Sequence, residues 1–182
     1  MDAAKEPPHA VASDDPLAVR LLKEEHLKLR ELFDRASEEE GEKRTRTARE
    51  IALRMGIHMT IEEEILYPAL AGFIPDDEIK EGIVEHQAGK TMLDEIEQLD
   101  GDEPLFGTKV SVLGEVTMHH IDEEEEEMFE EAKKSRELDL EAIGRQLEAR
   151  RAELYENIAR TGEEGQVMEI DAAEVETVGG GS

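Results

Sequence analysis

Residues 57–68 read IHMTIEEEILYP, and within them His58 and Glu62 stand four positions apart beside an apolar stripe of Ile57, Ile61 and Ile65. Residues i and i+4 of a helix share one face, about 5–6 Å apart. An imidazole nitrogen and a carboxylate are thereby presented together at the edge of a buried surface. The chain carries this arrangement twice. EEH ends at His26 and VEH ends at His86, and the segment HHIDEEEEEMFE places His120 four positions before Glu124. Each half therefore reads His … His-x-x-x-Glu, the intervals between histidines differing by two residues, and in each half an aromatic (Tyr67, Phe129) follows the second histidine by nine positions. Four imidazoles with two carboxylates and no sulfur suit iron, manganese or zinc. Two carboxylates that can each bridge point to two metals rather than one.

These residues need helices to bring them together. The segment DDPLAVRLLKEEHLKLRELFDRASEE has an Asp cap followed by Pro16 to start a first helix, with Leu22, Leu29, Leu32 and Phe33 on the face of His26 and Gly41 to end it. A second helix is expected from about Glu42 to Leu70, stopped by AGFIP, and a third from Asp76/Asp77 to the DGDEP turn. The fourth spans LFGTKVSVLGEVTMHHIDEEEEEMFEEAKK, and the fifth, LDLEAIGRQLEARRAELYENIA, has packing periodicity and no candidate ligand. Strand alternation is absent. The pattern predicts an all-α fold: an up-down-up-down four-helix bundle with an accessory C-terminal helix, the type of scaffold that assembles core metal sites from facing helices. Residues 1–13, with two prolines, read as a disordered arm, 14–160 as the bundle, and 161–182 as a disordered acidic tail ending in GGGS.

Composition narrows the function classes. With 48 acidic against 21 basic residues the formal net charge is −27, which argues against nucleic acid or anionic lipid as partner, since both require a Lys/Arg footprint. An acidic chain attracts cations instead. The absence of cysteine excludes disulfides, thiolate metal sites and Cys nucleophiles. No apolar run approaches the ~20 residues of a membrane span and no leader pattern opens the chain, so a cytoplasmic location is the default expectation. Aromatics are 3% with no Trp, so the core is expected to be aliphatic.

The pattern resembles the hemerythrin-like, HHE cation-binding family, whose signature is H-HxxxE-H-HxxxE on a four-helix bundle. The match runs from roughly Asp14 to Ile158 and includes EEILYPAL and LEAIGRQLEARRAEL. The resemblance implies a non-haem, oxo- or hydroxo-bridged centre of two iron ions. It implies His26, His58, His86 and His120 as terminal ligands and Glu62 and Glu124 as bridging carboxylates, with one iron held mainly by His26 and His58 and the other by His86 and His120. No separate catalytic side chain is singled out. Oxygen-carrying members have a further histidine one turn after the position of His86, where this chain has Lys90, and use Asp where it has Glu124. Lysine offers no lone pair when protonated, which leaves a position on the second iron to water, hydroxide or substrate. The implied activity is the handling of small oxidants, with peroxide decomposition as the most concrete form and an unidentified redox partner. The alternatives are an O2, NO or iron binding and sensing module without turnover, and a structural bundle whose site holds zinc or nothing.

Several neighbours of these residues read more plainly. His119 points about 100° away from His120 and is expected to be exposed or to support a ligand, and His9 lies in the arm. Glu123–Glu127 read as a solvated face on which Glu124 alone points inward. Glu63 reads as exposed, with acceptance from a ligand N–H as the weaker alternative. Met59, Met118 and Met128 read as core filler. In α-helical register Tyr67 falls on the far side of the helix from His58, so it reads as packing at the helix end. Gly82 and Gly89 flank His86 on its own face. A helical glycine costs ~1 kcal/mol relative to alanine, which fits a close helix crossing or, alternatively, a small pocket over the second iron.

Overall fold

The computed structural model describes residues 11–161, and all of its regular structure there is helical apart from one isolated bridge between Ala71 and Ile74. The expectations for the arm and tail, His9 included, fall outside the described residues except at 11–13 and 161. Helix α1 spans Leu17–Glu38 and α2 spans Gly41–Ile61. A π-helical turn, Glu62–Leu66, joins α2 to α3, Tyr67–Leu70. Helix α4 is Asp76–Glu97 and α5 is Phe106–Glu123. A second π-turn, Glu124–Met128, joins α5 to α6, Phe129–Lys134, and α7 is Leu140–Thr161. Helices α1, α2, α4 and α5 close a ring of neighbours, and α7 packs outside it on α1 and α2. The short connections make successive bundle helices antiparallel, so the expected architecture is the one found.

Two boundary details differ from expectation. Gly41 does not end α1: with φ +54° it turns the chain into α2 as that helix's first residue. Nor does an Asp side chain cap α1. The carbonyl of Pro16 accepts from Arg20 N, which puts Pro16 at the cap position, while the Asp15 carboxylate accepts from Lys23, Lys133 and the Ala12 N–H. The free N–H of Leu17 is satisfied from a distance by Glu141 of α7 at 3.0 Å.

The core falls into two apolar layers. One gathers Leu22, Ile57, Ile61, Leu66 and Phe129 with Leu147 and Leu154 of α7. The other gathers Leu29, Leu32, Ile51, Leu93, Phe106 and Leu113. His26 lies on α1 between Leu22 and Leu29, and the polar layer it belongs to separates the two. Met59 and Met128 are buried as expected, and Met118 is partly buried with its sulfur accepting from Arg30. The apolar stripe of α2 ends at Ile61: the π-turn inserts one residue, so Leu66 is buried where α-helical register would have placed Ile65.

Helix α7 sits very close to α1 at Gly144, where a Cβ would lie 2.5 Å from the Ala18 backbone nitrogen. Alanine in place of a helical glycine ordinarily stabilises by ~1 kcal/mol, but a clash with backbone cannot be relieved by a rotamer change and overpacking costs about 1–3 kcal/mol. The steric term wins. Gly144→Ala is expected to lower the thermal midpoint by up to roughly 8 °C, the net of these terms, as followed by circular dichroism. An unchanged or raised midpoint would mean that α7 can slide away from α1 freely.

Candidate metal centre

The six residues marked by the repeat converge on one buried layer. His26 comes from α1, His58 from α2, His86 from α4 and His120 from α5, while Glu62 and Glu124 are the first residues of the two π-turns. All six are buried, Glu62 and His26 completely. The imidazoles face one another in pairs, His26 Nε2 to His58 Nε2 at 3.2 Å and His86 Nε2 to His120 Nε2 at 3.1 Å. Each carboxylate lies between the pairs. Glu62 Oε2 is 3.3 Å from His58 Nε2 and 3.4 Å from His86 Nε2. Glu124 Oε2 is 3.5 Å from His26 Nε2 and 3.7 Å from His120 Nε2.

The outer nitrogens are held by carboxylates. Glu125 accepts from His26 Nδ1 at 2.9 Å, Glu63 from His86 Nδ1 at 2.9 Å, and Glu85 from His120 Nδ1 at 2.7 Å. This fixes the tautomer and aims the Nε2 lone pair inward. Two expectations are corrected here. Glu63 supports His86, and Glu125 is buried against His26 instead of lying on a solvated face. Each is the residue after a carboxylate of the centre and reaches a histidine on a facing helix, a contact no single-helix register reveals. The fourth imidazole breaks the pattern. By sequence Glu25 stands to His26 as Glu85 does to His86, but Arg151 of α7 binds Glu25 at 2.6 Å, and His58 Nδ1 has no hydrogen-bond partner among the described residues.

Tyr67 is the larger correction. Its N–H bonds to the carbonyl of Glu62, an i→i+5 bond, so the helix turns less per residue over this stretch than an α-helix would. The phenol is thereby carried from the expected far side to the centre itself. Its hydroxyl donates to Glu124 Oε1 at 3.0 Å and lies 3.2 Å from His86 Nε2, and its ring stacks on His86 at 5.4 Å. The second π-turn does the same for Phe129, which stacks parallel on His26 at 5.8 Å. Gly82 makes the space: a Cβ there would lie 2.8 Å from the Tyr67 hydroxyl. Gly89 meets Met55 and Met59 at ordinary contact distance beside a cavity of about 20 Å³, room for one water-sized molecule, lined also by His58, His86 and His120. Lys90 bonds Glu63 at 2.6 Å, so its charge supports the residue behind His86. His119 is exposed, with Nε2 3.3 Å from Glu123.

Electrostatically the layer is under strain that a cation would relieve. Burial, and then the charge of Glu124, push Glu62 well above the usual carboxylate range. Glu124, although equally buried, is held well below it by His120 and His26. Burial, then the proximity of His26, lowers His58 well below an ordinary histidine. Burial also lowers His86, whereas for His26 and His120 it is outweighed by their carboxylate neighbours, which raise both. Burial and the two central carboxylates drive the Tyr67 phenol well up. Both oxygens of Glu62 and Oε2 of Glu124 are buried without a hydrogen-bond partner among the described residues. With both Nδ1–H groups donated to carboxylates, the Nε2 atoms of His86 and His120 oppose two lone pairs whenever both rings are neutral. Buried carboxylate oxygens without a hydrogen-bond donor, and opposed lone pairs, are costly alone and suit positive charge placed among them. The donor atoms of His26, His58, Glu62 and Glu124, and those of Glu62, His86 and His120, form two groups each compact enough to hold an ion.

A crystal structure of a hemerythrin HHE cation binding domain-containing protein from Mycobacterium kansasii superposes with a TM-score of 0.71 at 26% identity, covering 84% of this chain and 97% of that one. The DNA nickase of Nostoc sp. (strain PCC 7120 / SAG 25.82 / UTEX 2576) is 31% identical over 72 residues, 40% of this chain, and the chain matches only 20% of that protein's length. Among the described residues no helix is long and apolar enough to cross a membrane. The description of the Hemerythrin HHE cation binding domain fits residues 17–132, and the chain belongs to this metal-binding family.

Proposed function

We propose that the layer holds two iron ions, with His26 and His58 serving one, His86 and His120 the other, and Glu62 and Glu124 bridging them. The observation that carries this reading is the placement of each buried carboxylate between both histidine pairs, within 3.3–3.7 Å of a nitrogen from each. Two adjacent irons supply two-electron redox chemistry towards a small oxidant. The side chains do the rest. Glu125, Glu63 and Glu85 hold three imidazoles in their inward tautomer, and Phe129 and Tyr67 wall the layer against water. The Tyr67 hydroxyl donates to Glu124 and lies 3.2 Å from His86 Nε2, close enough to reach the position that Lys90 leaves without a protein nitrogen.

The substrate reading that fits best is hydrogen peroxide, one molecule oxidised to oxygen while a second is reduced to water. The cavity beside Gly89 lies against three of the four imidazoles, those of His58, His86 and His120, and restricts access there to very small molecules. A second reading is binding or sensing of O2, NO or iron without turnover, favoured by the closeness of the Tyr67 hydroxyl to His86, where turnover would need an open position. DNA nicking is not carried over: the matched fifth of that relative is too small a part, and the charge of −27 lacks a phosphate footprint. The deciding experiment measures iron per chain and peroxide-dependent oxygen release on one sample. Two irons with oxygen release are expected. Two irons without it would leave the binding reading standing, and zinc or no metal would remove both.

A further inference from the structure

On the side where α4 meets α5, a cleft of about 40 Å³ leads from the surface to the centre. Six carboxylates line it, those of Glu78, Glu81, Glu85, Glu123, Glu124 and Glu127, and among the described residues no lysine or arginine does. A run of glutamates on a helix is ordinarily a solvated face. This one differs because the cleft reaches inward to His120 and to Glu124, only 2% exposed, whose Oε2 has no hydrogen-bond partner among the described residues. At the outer end Glu85, His119 and Glu123 bring one ligand atom each within 4.8 Å of one another. Their side chains run from 19% exposed at Glu85 to 67% at His119. Repulsion is visible along the wall: Glu78 is raised by burial and then by Glu127 and Glu131.

We propose that this cleft is the route by which a divalent cation reaches the centre, with Glu85, His119 and Glu123 as the outer stopping place and the Glu124 carboxylate as the destination. The inference rests on the metal-holding role proposed above for Glu124 and His120. A low-dielectric cleft of one sign of charge focuses the field and raises cation encounter rates by about 10–10³-fold. Three ligands at an exposed mouth leave about half of an octahedral ion's hydration in place, so it is held weakly enough to move on. The transfer inward is short. Glu85 Oε2 already touches His120 Nδ1 at 2.7 Å, and Glu123 is followed directly by Glu124.

The test uses the full metal-free chain mixed anaerobically with Fe(II), reading both the uptake rate and the final metal content. The variant E81Q/H119A/E127Q changes exposed side chains, two on the cleft wall and His119 beside Glu85 and Glu123, and the control E137Q/E148Q/E156Q changes exposed side chains elsewhere. The cleft variant is expected to take up iron about tenfold more slowly at low salt while reaching the same content, with the control within about twofold of the unsubstituted chain. High salt is expected to narrow the difference. Equal rates for the two variants would overturn the route alone. A reduced final content in the cleft variant would also overturn it, since these residues would then be holding resident metal. Failure of the unsubstituted chain to retain metal would overturn the centre and the route together. In a chain preloaded with Zn(II), substoichiometric Mn(II) is expected to broaden the His119 ring resonances selectively, and Glu123→Gln to abolish the effect. Uniform broadening would remove the outer stopping place.

Discussion

Glu124→Ala is expected to give a folded chain that holds at most one metal ion, against the two expected of the unsubstituted chain. The side chain is short of partners that fold the protein and rich in contacts that only a metal site needs. Its Oε2 lies between His26 and His120, on different helices and in different imidazole pairs. In the two-metal reading, removing it takes away a donor shared by both ions; it also leaves the Tyr67 hydroxyl without its acceptor. Helicity should survive, because the apolar layers on either side do not depend on this residue. Deleting a ligand is expected to cost at least as much as deleting a residue that merely orients one, which is worth about 10–100-fold in metal affinity. Glu62→Ala is expected to behave alike, since Glu62 Oε2 lies between His58 and His86. Metal analysis after exhaustive dialysis, alongside circular dichroism, checks both. Wild-type metal content in either variant would sink the two-metal reading, and collapse of helicity in both would show that the carboxylates act in folding instead.

The six residues of the layer were readable because the information lies within single helices and is repeated. His-x-x-x-Glu is an i, i+4 statement, and its second copy raises it above chance. The bundle was readable for the same reason, with apolar periodicity at Leu22, Leu29 and Leu32 that the structure buries. What escaped depends on facing helices or on a local departure from α-helical geometry. Glu63 and Glu125 were assigned to solvent because their own helix gives no hint of the imidazole opposite. The capture of Glu25 by Arg151 needs the position of α7. Tyr67 was lost to a single extra residue in the turn at Glu62–Leu66, which alters the side on which every later side chain falls. One signal was on the page: an aromatic nine positions after the second histidine in both halves, together with a glycine four positions before His86. A shared position that looks wrong for an α-helix is a reason to test a π-turn, since such turns concentrate at functional sites.

Tyr67→Phe is expected to keep the iron and change its colour. The substitution preserves the ring that stacks on His86 at 5.4 Å and removes only the hydroxyl between His86 and Glu124. Losing that donor leaves a buried carboxylate oxygen unsatisfied, a cost of about 1–3 kcal/mol, which Glu62, Glu124 and four imidazoles binding two cations can absorb. Burial and the nearby carboxylates hold the free phenol protonated, but adjacent cations invert that preference. If the oxygen then joins the ligand set, ferric protein should show a visible phenolate-to-iron absorption that Tyr67→Phe abolishes at unchanged iron content. Gly82→Ala supplies the complementary case. The phenol remains, but the new Cβ would lie 2.8 Å from its oxygen, and the far end of the side chain has to move away from Glu124 and His86. The same band should weaken or shift, even though alanine is the better helix former by ~1 kcal/mol. Identical visible spectra for the unsubstituted chain and Tyr67→Phe would place the hydroxyl outside the ligand set, as a hydrogen-bond donor to Glu124 only. The position beside His86 would then be open, which would strengthen peroxide turnover over simple binding.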